Sequence, residues 1–92
     1  MEVMEEKSLV EQILEVERNI ESVNDEINAV GKSIEVAEKN VFEGVNPLFW
    51  EPKLVQLRKK EEQLRKKEEQ LRDEKKQLRD LLLLEEQRKL GK

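Results

Sequence analysis

From Leu9 to Val41 the apolar residues fall at 9, 13, 16, 20, 23, 27, 30, 34, 37 and 41, alternating steps of four and three without a miss. That spacing is a heptad repeat, and it confines the segment to a helix whose narrow apolar stripe must meet another helix. Ile13, Ile20, Ile27, Ile34 and Val41 take position a, and Leu9, Val16, Val23, Val30 and Ala37 take position d. Ser8-Leu9-Val10-Glu11 fits a capping box at the start, although residues 2–7 equally permit an earlier beginning. Gly44 suits a left-handed stop just beyond Val41. Gly31 lies inside the pattern, where glycine costs about 1 kcal/mol relative to alanine, and reads as a weak point in preference to a close helix approach. Valine at most d positions disfavours a parallel dimer and points to antiparallel or larger assemblies.

The second half repeats differently. Gln56-Leu57-Arg58-Lys59-Lys60-Glu61-Glu62 is copied as residues 63–69 and recurs in altered form from Gln70 and from Gln77. Every residue of the unit is a good helix former, so a helix is expected from Pro52 to Leu90, with Pro52 tolerated in its first turn. Leu57, Leu64, Leu71 and Leu78 supply one apolar residue per heptad, while Glu61, Glu68 and Lys75 stand at the alternate positions. A helix with charges in its own seam is a poor partner for itself and a better one for the fuller stripe of the first half.

Charge agrees with that pairing. Residues 1–46 hold 4 basic and 12 acidic residues, a net of −8, and residues 47–92 hold 14 basic and 10 acidic, a net of +4. Opposite halves joined by a short connection describe a chain folded back on itself. The expected fold is therefore all-α, an antiparallel helical hairpin of the coiled-coil type: helix 1 over 1–43, an aromatic turn over 44–51, helix 2 over 52–92. Centring the turn near Phe49 pairs Val41 with Leu57, Ile34 with Leu64, Ile27 with Leu71 and Ile20 with Leu78. Ten apolar seam residues on helix 1 against six on helix 2 leave apolar surface uncovered, which predicts a homodimer of hairpins forming a four-helix bundle, with a monomeric hairpin as the alternative. The association or hairpin core comprises Ile13, Val16, Ile20, Val23, Ile27, Val30 and Ile34, with Leu57, Leu64, Leu71 and Leu78 as the matching row.

The turn holds the sole Trp and both prolines in Asn46-Pro47-Leu48-Phe49-Trp50-Glu51-Pro52. Asn46 is suited to capping, Pro47 to opening a short helical turn, and Pro52 to keeping Trp50-Glu51 out of continuous helix. Leu48, Phe49 and Trp50 read first as a hydrophobic plug packing on Phe42 and Leu54, and second as a partner-binding hot spot.

Chemistry is narrow in a chain of 92 residues that is 43% charged and 3% aromatic, without Cys or His. Disulfides, Cys/His zinc sites, thiol nucleophiles and imidazole acid/base catalysis are excluded. Ser8, Ser22 and Ser33 have no candidate base beside them, and no glycine-rich phosphate loop is present. An enzyme is not expected, and neither is a cofactor, a metal or a small-molecule ligand. The Lys-Lys-Glu-Glu blocks interleave acids with bases and lack aromatic residues for base stacking, so they read as a solvated coil surface and not a nucleic-acid site. Leu81 to Leu84, the longest apolar run, falls far short of a membrane span and is expected to cover Leu9 and Ile13. No signal-like start precedes the first helix, which makes the cytoplasm or nucleus the expected setting.

The run from Asn46-Pro47-Leu48-Phe49-Trp50 into the Gln-Leu-Arg-Lys-Lys-Glu-Glu repeats and on to Leu81–Leu84 resembles segments of Crinkler-type effectors and related repetitive proteins of oomycetes, over about half the chain. The Leu-x-Leu-Phe-Leu-Ala-Lys translocation motif of that family is missing near the start. The resemblance implies an effector-associated interaction segment working inside cells and transfers no catalytic residue. Two functional expectations result. One is a self-associating scaffold module that buries the Ile/Val stripe. The other is an adaptor that captures a different helical protein through the Leu-Phe-Trp tip or an uncovered helix 1 groove.

Overall fold

The computed structural model describes residues 7–91 and consists of two helices, α1 from Leu9–Phe42 and α2 from Pro47–Leu90, packed antiparallel as a hairpin. Its extents are 70 × 34 × 14 Å, and the thin dimension is that of a single layer of helices. The parts of the expected boundaries that fall on residues 1–6 and 92 lie outside the described residues.

Local chemistry accounts for both ends of α1. Ser8 Oγ accepts from the Glu11 backbone N–H at 3.2 Å, the hydroxyl half of the expected capping box. At the other end Gly44 adopts φ +70°, with its N–H donating to the Val41 carbonyl at 3.1 Å and the Val45 N–H donating to the Asn40 carbonyl at 2.9 Å. This is the six-to-one and five-to-two pair of a Schellman stop, and the left-handed residue at its centre favours glycine.

The start of α2 corrects the sequence expectation. The turn covers only Glu43 to Asn46, and Leu48, Phe49 and Trp50 belong to the first turn of a helix that runs unbroken through Pro52. Asn46 is left-handed at φ 43°, a conformation asparagine tolerates better than most residues. Its side chain makes no capping bond; its carbonyl instead accepts from the N–H groups of Phe49 and Trp50 at 3.0 and 3.1 Å. Pro47, with φ preset for the helix, opens α2 directly. Pro52 then withholds a single bond, the one that would reach the carbonyl of exposed Leu48, and one lost bond does not break so long a helix.

The shorter turn moves the register. Glu38 meets Arg58 at 3.4 Å where the expected pairing places Lys60, and Glu17 meets Lys75 at 3.1 Å where it places Leu81. Leu71 shares a cleft with Val23 and Glu26, while Ile27 and Gly31 share another with Glu61 and Arg65. The four predicted Ile–Leu layers are thus displaced toward lower numbers on α2, because four connecting residues replace eight.

The seam itself follows the heptads on both helices. Ile13, Val16, Ile20, Val23, Val30, Ile34 and Ala37 are buried on α1, with Leu54 and Leu64 on α2. Ile27, Val41, Trp50, Leu57 and Leu71 pack against this core while partly exposed. Ala37, with no exposed surface, marks the closest fit. Gly31 has open space where a Cβ would project, so it is a weak point in the helix and not a close approach.

Candidate interaction site

Of the residues expected to form the core, Ile13, Val16, Ile20, Val23, Val30, Ile34 and Leu64 are buried, and Ile27, Leu57, Leu71 and Leu78 are half-buried along the same seam. One hairpin therefore closes over the Ile/Val stripe. The apolar surface expected to remain on that stripe for a second chain is largely consumed by α2, and the surface still open lies elsewhere.

The charges in the α2 seam explain how so few leucines suffice. Glu61, Glu68 and Lys75 continue the pattern of Leu54, Leu57, Leu64, Leu71, Leu78 and Leu82, and each is less exposed than the residues flanking it. Glu61 pairs with Arg65 at 3.6 Å and Glu68 with Arg72 at 3.3 Å, one helical turn along the same face, while Lys75 crosses the hairpin to Glu17. Their stems lie on the seam and their heads reach its rim, as long charged side chains do at such positions. The Glu-x-x-x-Arg spacing that allows this is written in the repeat.

The tip divides into two parts. Trp50 packs against the core cluster containing Leu54, and Phe49 meets it edge to face at 5.0 Å between ring centroids and 86° between planes. Leu48 and Phe42, each 91% exposed, stay outside, so Phe42 takes no part in the expected plug. Of the three candidate partner-binding residues, then, Trp50 is mainly structural, Phe49 half free and Leu48 free.

At the opposite end Leu82 completes the seam, and Leu9 lines a cleft with Leu81 and Leu84. Val10, Leu14, Leu83 and Leu90 remain exposed. The run of leucines covers the open end only in part, since four consecutive helical residues point to all sides of the helix. These exposed apolar residues, together with Val55 near the tip, were not singled out by periodicity. The available signal was a recurrence at one outer heptad position, 48, 55, 83 and 90 on α2 and 14 and 42 on α1, with Val10 at a neighbouring one.

Near the start of α1, Lys7 Nζ hydrogen-bonds Glu15 Oε2 at 2.6 Å; that bond first, and the charge of Lys7 second, hold the Glu15 carboxyl below its ordinary range. Among the described residues no group of three His, Cys, Asp or Glu is arranged to hold a metal ion, and no helix is long and apolar enough to cross a membrane. Compared with known proteins, the chain matches no family model, no curated protein and no solved structure.

Proposed function

We propose that the chain is a non-enzymatic interaction and self-association module, a helical rod that associates with a second copy of itself to form a four-helix bundle. The observation that carries this reading is the exposure of large apolar side chains at both ends of a hairpin whose own seam is already filled. Phe42, Leu48 and Leu90 are 91%, 91% and 86% exposed, far more apolar surface at each end than an isolated rod needs to fold. Association would cover these ends, while the Ile/Val stripe supplies the rigidity that holds them apart. Light scattering across a range of concentrations tests it: a mass of two chains is expected, and a mass of one chain throughout would refute it.

Leu48 favours a second reading, in which the tip captures a different helical protein. An apolar residue held outward beside Phe49 and anchored by Trp50 has the form of an interface hot spot. Binding lost in Leu48→Glu while helicity is kept would support this adaptor role. Cytoplasmic or nuclear work and an effector-associated setting belong to the same proposal. They are supported by the aromatic tip leading into Gln-Leu-Arg-Lys-Lys-Glu-Glu repeats.

A further inference from the structure

We infer that a second copy of this chain covers one particular broad face of the hairpin, with the two copies related by a twofold axis along the rod, tip beside tip. The inference rests on the self-association reading above and specifies its surface and symmetry.

A single layer 14 Å thick has two broad faces. With Leu54, Glu61, Glu68, Lys75 and Leu82 at a and Leu57, Leu64, Leu71 and Leu78 at d on α2, one is built from the e and b heptad positions of both helices, brought together where Glu38 meets Arg58 and where Gly31 and Glu35 share an open cleft with Arg65. The other is built from the g and c positions, joined where Ser22 and Glu26 share a cleft with Lys67.

Exposed apolar residues favour the first face. Phe42, Leu48 and Val55 lie there near the tip, and Val10, Leu14, Leu83 and Leu90 near the open end. The second face has Phe49 near the tip, Val36 alone on α1, and Leu81 and Leu84 near the open end.

Between the apolar ends, the first face is divided lengthwise by charge. The α1 side presents Glu17, Glu21, Glu35 and Glu38, with Lys32 alone at its edge, and the α2 side presents an arginine at each of the four central e positions: Arg58, Arg65, Arg72 and Arg79. The b positions along the outer edge of that row hold Glu62, Glu69 and Lys76.

This division selects the symmetry. A twofold axis along the rod lays the acidic α1 side of each copy on the basic α2 side of the other, and stacks apolar tip with tip and open end with open end. A twofold axis across the rod would lay α1 on α1, acid on acid. Juxtaposed like charges are penalised and matched opposite charges favoured, so the lengthwise axis is the one this face fits.

The chain has no cysteine, so Glu43→Cys gives one spin label at the tip of each copy. Light scattering on the labelled chain is expected to report two chains. Dipolar spectroscopy should then place the labels within about two helix diameters, roughly 20–25 Å. Two chains with labels separated by nearly the 70 Å length of the rod would overturn this arrangement while leaving self-association intact. One chain at every concentration would overturn both.

Leu83→Glu, on the proposed face, should weaken association at least tenfold, and Val36→Glu, on the opposite face, should leave it unchanged, with helicity preserved in each by circular dichroism. The reverse pattern would overturn the choice of face. Association that does not weaken at about 1 M salt, where the Debye length falls to about 3 Å, would overturn the charge match.

Discussion

Lys75 Nζ lies 3.1 Å from Glu17 Oε1, so the cation that interrupts the leucine row of α2 is answered by a carboxylate from α1. Glu61 and Glu68, at equivalent seam positions, are answered within α2 by Arg65 and Arg72. Glu61–Arg65 and Glu68–Arg72 each have one partner mostly in solvent, while Lys75 and Glu17 are both half-buried at the rim; ion pairs so near the surface contribute about 0–1 kcal/mol.

Replacing Lys75 by leucine should therefore stabilise the hairpin. The substitution extends the packed row between Leu71 and Leu78 and leaves the half-buried Glu17 without its partner at the rim of the seam. A gain of about 1 kcal/mol is expected. For a domain of this size it should appear in thermal unfolding as a rise of about 4–8 °C in Tm.

Gly31→Ala should also stabilise. An added Cβ meets no heavy atom within 4 Å, so the full helix-propensity difference of about 1 kcal/mol is available without a steric penalty. Chemical denaturation should show a higher midpoint with an unchanged slope.

Leu64→Ala should be the costliest truncation in the α2 repeat, at about 2–4 kcal/mol, because Leu64 is buried within the main cluster. The same change at half-buried Leu78 should cost clearly less. Equal losses in denaturant unfolding would contradict the uneven burial of the leucine row.

Gly44→Ala should destabilise by about 1–2 kcal/mol, since φ +70° places an added Cβ against its own backbone despite free space around it. The change strains the turn that fixes register. Hydrogen exchange should quicken first at the Gly44 and Val45 amides that close the α1 end.

Glu15 links stability to pH in a defined direction. Its carboxyl is held low by Lys7, so the folded state binds a proton less readily than the unfolded chain there. The contribution is present above the unfolded carboxylate range and lost as pH falls through the folded value. Carboxyl titration by NMR should show the Glu15 midpoint rising in Lys7→Ala.

The hairpin was legible because the a and d residues of α1 keep step over its whole length, and because the second half offers a complementary charge and leucine row. The length of the turn was not legible. Pro52 reads as a boundary under rules that treat each proline locally, but in the chain Asn46 and Pro47 have already set the helix going, and a helix of 44 residues absorbs one missing bond. The displaced pairing of Glu38 with Arg58 follows from that misplaced boundary. The exposed face was obscured for another reason: Leu14, Phe42 and Val55 lie outside the seam, and a search for the strongest stripe passes over a sparse second row.

The near-identical heptads of α2 have a cost that the connector resolves. Shifted by seven residues, residues 63–69 would present to α1 the same side chains as residues 56–62, so the partner strand offers little protection against slippage. Such a slip displaces one helix by roughly 10 Å. The four residues between Phe42 and Pro47, two of them locked in left-handed geometry, have no slack to follow it. Alignment in this protein is thus set by its clasp, and a longer, looser connection would let the ruler-like repeat settle at several marks in place of one.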